Sequence, residues 1–253
     1  SHEALLAPFD AVVLAMGARM TRDLDIPGRG LHGVHFAMDF LERQNRVVAG
    51  DAVADLISTT GKSVVVIGGG DTGSDCVGTS NRQGASAVVQ LELMPKPPLV
   101  RARENPWPEW PLVMRTSSSH EEGCARDFGV RTKAFLGDEA GNVRALLVER
   151  VALRGGSLVA EAGSDLEIPA ERVFLAMGFT GPEPALLDAL GVAKDARGNA
   201  QSDAQGRTSR TGFFAAGDVS RGQSLVVWAI ADGRRVARGV DAFLRASLSA
   251  RVA

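Results

Sequence analysis

The sequence predicts an α/β fold with parallel sheets, and three observations carry that prediction. Nearly continuous Val, Leu and Ile runs recur at 11–15, 63–67, 87–93 and 172–176, the composition of strands covered on both faces. Patterns of helical period lie between and after them, at Gly33 to Asn45, Thr72 to Gln83 and Leu225 to Leu244. A glycine-rich hexapeptide, GGGDTG, stands where the second run meets the second helix.

In chain order, the run at 11–15 is a strand that closes in VVLAMG and leads into a Pro/Gly loop, TRDLDIPGRGL. The helix over 33–45 returns the chain to the strand at 63–67. After the strand at 87–93 comes a Pro-rich excursion, residues 94–111, containing NPWPEWP. Short alternating runs between Lys133 and Ile168 predict an antiparallel insertion, with Gly155-Gly156 as a hairpin turn. The strand at 172–176 closes in VFLAMG, 161 positions after its near-copy. The last residues, SLSARVA, read as a frayed tail.

A chain of 253 residues, 45% apolar and 23% charged, buries a substantial core in one large or two ordinary domains. Its 28 basic and 30 acidic residues are mixed along the chain for a net charge of −2, so no footprint for nucleic acid is expected. No apolar run approaches the roughly 20 residues needed to span a bilayer, and no basic start with an apolar leader opens the chain. No membrane association is therefore expected, and the default compartment is the cytoplasm. Cys76 and Cys124 form no CxxC and read as ordinary buried or half-buried thiols. His2, His32, His35 and His120 have no metal spacing and read as surface or loop residues.

GxGxxG at Gly68, Gly70 and Gly73 follows a strand and opens a helix. In that setting the first glycine makes the tight turn, the second lets backbone approach a pyrophosphate, and the third lets helix and strand pack closely. Gly69, Asp71 and Thr72 complete this candidate dinucleotide site, and the helix N-terminus favours the phosphates. Glu92 lies 19 positions beyond Gly73, where an acidic strand end binds ribose hydroxyls. That carboxylate suits NADH, because the extra phosphate of NADPH meets a like charge. The nearest following cations are Lys96, Arg101 and Arg103. Near the C-terminus a strand runs into Gly217-Asp218, and a loop with Gly222 precedes a helix whose first turn is expected to hold Ser224. That arrangement can offer a carboxylate to a ribityl or ribose hydroxyl.

GGGDTGSDCV, LELMPKPP, ENPWPEWP, HEEG at 120–123, VFLAMGF and FFAAGDVSRGQSLVVWAIADGR, taken in that order, resemble the small, pyridine-nucleotide-oxidising subunit of glutamate synthase. The likeness runs over nearly the whole chain. It implies a Rossmann-like nicotinamide-binding domain, with a small antiparallel β insertion, set into an incomplete FAD-binding domain. The expected division is 1–40 and 177–253 for the flavin segments and 41–176 for the nicotinamide domain. VVLAMG and VFLAMG then resemble the strands at which the chain leaves and re-enters the flavin domain, with Gly17 and Gly178 close to a cofactor.

The resemblance also implies hydride transfer from NADH or NADPH to FAD. Electrons then pass through iron–sulfur clusters to the glutamate synthase large subunit, which makes glutamate. The cysteine-rich segment and the first flavin GxGxxG of that family are missing, so the chain reads as the C-terminal portion of a longer protein, expected to hold little flavin alone. Cofactors carry the chemistry, and no acid, base, nucleophile or metal ligand is assigned. Trp107 and Trp110 are expected to pack a rigid loop rather than shield a cofactor. Two alternatives stand beside this reading. One is another flavin reductase of the same architecture, such as a dihydropyrimidine dehydrogenase-like protein or a ferredoxin reductase. The other is a dinucleotide-binding fragment without turnover.

Overall fold

The computed structural model describes residues 8–109 and 112–252, with side chains through 249. The readings of His2 and Trp110 lie outside the described residues. The chain forms two compact units, one of residues 1–22 with 179–253 and one of 23–178. Residues 23–40, expected in the first segment, group with the second unit.

The unit 23–178 is built on a five-stranded parallel sheet. Its members are β3 (Val34–Phe36), β4 (Ser63–Ile67), β5 (Ala87–Glu92), β6 (Ala125–Phe128) and β11 (Arg172–Leu175), in the order β3-β11-β4-β5-β6. All four pairings are parallel. Val34–Phe36 corrects the helix expected from Gly33. Gly33 has φ +97°, and a Cβ there would stand 2.8 Å from the Glu171 carbonyl oxygen. This close approach starts an edge strand, and helix α1 runs from Ala37 to Val48.

Why β4 reads SVVVI follows from what covers it. Val64 and Val66 point to a cluster with Phe40, Cys76, Val77 and Phe174, on the side of α1 and helix α2 (Asp71–Arg82). Phe40 and Phe174 stack there at 4.1 Å between centroids. Val65 points the other way, into a cluster with Val130, Phe135, Leu146 and Val148. Those residues belong to the antiparallel insertion: β7 (Val130–Gly137), β8 (Val143–Arg154), β9 (Ser157–Ala160) and β10 (Leu166–Pro169). In this sheet β8 pairs with all three of the others. Successive side chains of a strand face opposite ways, so a strand roofed on both sides is apolar throughout. Gly155 and Gly156, at φ +56° and +80°, turn β8 into β9 as expected. Cys76 is fully buried and its thiol is pushed up by burial; Cys124 is half-buried with a smaller upward push of the same cause.

The other unit carries β1 (Val12–Leu14) parallel to β13 (Phe213–Ala215), and β2 (Met20–Thr21) antiparallel to β12 (Phe179–Gly181). Phe213 and Ala215 join one core with Leu14, Leu187 and Val219, while Phe214 joins another with Val236. Three helices complete it: α4 (Pro184–Ala189), α5 (Asp218–Arg221) and α6 (Val226–Val252). The tail expected to fray is thus helical through Val252. No helix among the described residues is long and apolar enough to cross a membrane.

Candidate functional site

The three motif glycines are held for different reasons. Gly68 has φ +112°, and a Cβ there would lie 2.3 Å from the carbonyl oxygen of Ala176 at the end of β11. A Cβ on Gly73 would lie 2.3 Å from the Gly68 carbonyl oxygen and 2.8 Å from Gln90 Nε2, so this glycine lets α2 sit against β4 and β5. No atom lies within 4 Å of where a Gly70 Cβ would be, so that side of its backbone is open to a ligand. Gly70 is also the cap residue of α2, with no side-chain cap bond. The first N–H groups of that helix are therefore available to an anion.

In front of Gly69 and Gly70 lies a cleft of about 570 Å³, lined also by Asp71, Ser74, Glu92, Ser117, His120 and Arg126. Glu92 folds over Gly69, whose Cβ would fall 0.8 Å from Glu92 Oε1. Burial pushes the Glu92 carboxyl above its ordinary range, with Arg126 pulling it back. Of the predicted residues, Gly69, Gly70, Asp71 and Glu92 meet at the cleft, and Gly68 and Gly73 shape the turn behind it. Thr72 is not among the residues lining it.

Several residues of this site were not foreseen. The cations expected near Glu92 do not line the cleft: Arg101 donates Nη1 to the carbonyls of Asn105 (3.0 Å) and Glu109 (2.9 Å) in its own loop. Arg115 and Arg126 line it instead. Arg126 donates Nη1 to the Arg115 carbonyl at 2.7 Å. It enters from β6, where it lies opposite Gln90, a strand the sequence did not reveal. Trp107 is 83% exposed, which corrects its expected packing. Polar bonds hold that loop, including Leu112 N–H to Asn105 Oδ1 at 2.9 Å.

His120 also departs from expectation. It sits in the short helix α3 (Ser118–Glu121), half-buried rather than on a surface loop. Its Nε2 is 2.8 Å from Gln90 Oε1, and its Nδ1 accepts the Ser117 N–H at 3.1 Å. Burial, and after it Arg126, lower its pKa.

In the other unit, Gly17 (φ +73°) and Gly217 (φ +74°) follow β1 and β13, so both stand at the same end of one parallel pair. No atom lies within 4 Å of where a Gly17 Cβ would be. Asp218 opens α5, and its Oδ1 accepts the Ser224 hydroxyl at 3.0 Å. Ser224 lies just ahead of α6 rather than in its first turn, because α5 and Gly222 (φ +83°) come between. Gly178 (φ +79°) follows β11 in the unit 23–178. The two near-identical hexapeptides thus belong to different sheets.

The chain matches the family model for pyridine nucleotide-disulphide oxidoreductases over residues 3–233. It is 54% identical to a glutamate synthase [NADPH] small chain of Mycobacterium tuberculosis, over 98% of this chain and 52% of that relative. It is 44% identical to a glutamate synthase [NADH] of Schizosaccharomyces pombe, over 95% of this chain and 12% of that one. The chain thus spans about half the length of the bacterial relative, and far less of the yeast one. Among solved structures, Mycobacterium tuberculosis FprA in complex with NADPH matches with a TM-score of 0.69 at 17% identity, covering 99% of this chain and 67% of that one. That likeness speaks to the fold.

Proposed function

The chain belongs to the pyridine nucleotide-disulphide oxidoreductase family, and from that premise we propose that it is the electron-input portion of a glutamate synthase. In this reading the unit 23–178 is the nicotinamide-binding part, and the unit formed by 1–22 and 179–253 contributes to an FAD site. Electrons leave through iron–sulfur clusters, held elsewhere than in this chain, to a large subunit in the cytoplasm. Similarity to small chains bearing that name supports the reading.

One observation carries it: the cleft in which Gly70, the open start of α2 and Glu92 converge. A pyrophosphate fits this donor set, since it needs close backbone approach, which Gly70 allows, and N–H donors, which the uncapped first turn of α2 offers. When bound, a reduced nicotinamide would supply a hydride and a flavin would supply the conversion to single-electron transfer. The chain's residues bind and orient: α2 N–H groups take the phosphates, and Glu92 accepts ribose hydroxyls. In the other unit Gly17 and Gly217 allow close approach, while Asp218, oriented by Ser224, offers its second carboxylate oxygen to a flavin hydroxyl.

Glu92 supports NADH, because its carboxylate stands at the turn itself. Arg115 and Arg126 in the same cleft favour NADPH as a second reading, since they can offset a ribose phosphate. Anaerobic addition of each nucleotide to the FAD-loaded protein that carries this sequence tests the proposal. The expected result is bleaching of the oxidised-flavin band, faster with NADH. Bleaching by neither nucleotide would contradict the proposal, and faster bleaching by NADPH would favour the second reading.

A further inference from the structure

Behind the cleft, a chain of hydrogen bonds crosses three segments far apart in sequence. Gln90, fully buried on β5, donates Nε2 to the Gly68 carbonyl at 2.9 Å. Its Oε1 faces His120 Nε2 at 2.8 Å. His120 Nδ1 accepts the Ser117 N–H at 3.1 Å and stands 2.9 Å from the Ser117 hydroxyl. That hydroxyl bonds to Ser74 Oγ on the first turns of α2. The hydride path proposed above uses none of these groups except the Gly68–Gly73 turn itself.

We infer that His120 is a positioning residue for nucleotide binding: in its neutral Nε2–H form it ties Gln90 to α2 and holds the Gly68–Gly73 turn in its binding shape. The inference rests on the reading of the cleft as the nucleotide site. The tautomer follows from the partners. A backbone N–H only donates, so Nδ1 must carry a lone pair, and the single ring proton sits on Nε2. Gln90 agrees independently: its NH₂ is committed to the Gly68 carbonyl, which leaves Oε1 to accept from His120. Gly73 is part of the same arrangement, because a side chain there would occupy the place of the Gln90 amide. The Gly68 carbonyl is therefore fixed from behind by Gln90, and α2 by Ser74, both through one imidazole.

Protonation breaks this arrangement, since an imidazolium has no acceptor for the Ser117 N–H. The charged and titratable groups around His120 are Arg126 from β6, Arg115 from the preceding loop, Glu92 at the end of β5 and Asp71 at the start of α2, all on the same cleft. The Arg82–Glu122 ion pair lies on α2 and just after α3, and the Cys124 thiol follows. Burial, and after it Arg126, disfavour the cation, so the neutral form is the native one at neutral pH. Nucleotide affinity should hold above pH 6.5, the ordinary histidine value, and fall as pH drops through the lowered one.

The experiment titrates NADH and NADPH into the full chain by calorimetry across that pH range, with His120→Gln, His120→Ala and Gly70→Val alongside. His120→Gln keeps a donor near the Nε2 position, loses the Nδ1 acceptor and cannot titrate, so it imitates the protonated ring. The unmodified chain should lose about tenfold in affinity on acidification. His120→Gln, which like the imidazolium has no acceptor for the Ser117 N–H, should be about tenfold weaker than the unmodified chain at neutral pH and should lack the histidine step in its pH profile. His120→Ala should be about tenfold weaker throughout. Nitrogen NMR of the unmodified imidazole should report the Nε2–H tautomer, which needs no variant to fold. An Nδ1–H tautomer, or His120 variants with the affinity and pH profile of the unmodified chain, overturns the inference while Gly70→Val still loses binding. If the unmodified chain binds neither nucleotide, or Gly70→Val binds as well as it does, the nucleotide reading fails and the inference fails with it.

Discussion

At the scale of single residues, the glycines of the turn separate folding from binding. Gly73→Ala sets a methyl group 2.3 Å from the Gly68 carbonyl oxygen, backbone that cannot step aside. It should lower stability by about 1–3 kcal/mol in denaturant melts, the range for overpacking. The Cβ of Gly70→Val meets nothing within 4 Å, and the variant should leave the melt nearly unchanged. Gly69 differs again, because its Cβ would displace only the flexible end of Glu92. Gly69→Ala should therefore mimic Glu92→Ala: both lose about tenfold in NADH affinity, with NADPH affinity unchanged or improved. Equal losses for both nucleotides in Glu92→Ala would remove Glu92 from nucleotide choice.

At the scale of elements, α5 and α6 are joined by one carboxylate. Asp232, its side chain 4% exposed, takes Arg221 at 3.0 Å and Arg235 at 3.3 Å. Its hydrogen bond from Arg221 holds its pKa below the ordinary 3.8. A carboxyl depressed on folding adds stability above its unfolded value, and that stability drains away as pH falls below it. Asp232→Asn should cost about 1.5–3 kcal/mol near neutral pH, as for hydrogen bonds to charged groups. The difference from the unmodified chain should shrink below roughly pH 4; an equal deficit at both pH values would count against the pairing.

Elements were legible in the sequence where local chemistry and tertiary role agree. β4, α2 and β5 came within a residue of their bounds, because a doubly covered strand followed by a glycine turn looks the same in sequence and in space. β3 was lost because VHF is too short for a period and only its neighbour β11 makes it a strand. β6 and Arg126 were hidden for the same reason, and with them one wall of the cleft. His120 was missed because Gln90, its partner on β5, and Ser74, which it reaches only through Ser117, are 30 and 46 positions away. No spacing rule joins such residues; the crossover from β5 to β6 does.

At the scale of the whole molecule, the unit 23–178 is one continuous stretch that contains both of its apolar clusters. Expressed alone, it should unfold cooperatively and bind NADH within about threefold of the full chain, a difference of well under 1.4 kcal/mol. The other unit is assembled from the two ends of the chain, so it gives no such single segment. An excised 23–178 that is unfolded by circular dichroism would show that its cores need the flanking residues.

The measurement closest to the central claim is a calorimetric titration of NADH into the full chain and into Gly70→Val at neutral pH. The account predicts one nucleotide bound per chain, at least about tenfold weaker binding in the variant, and matching thermal melts for the two. Equal affinity in both proteins, or no binding by the unmodified chain, would contradict the assignment of this glycine turn and its cleft to the nicotinamide nucleotide.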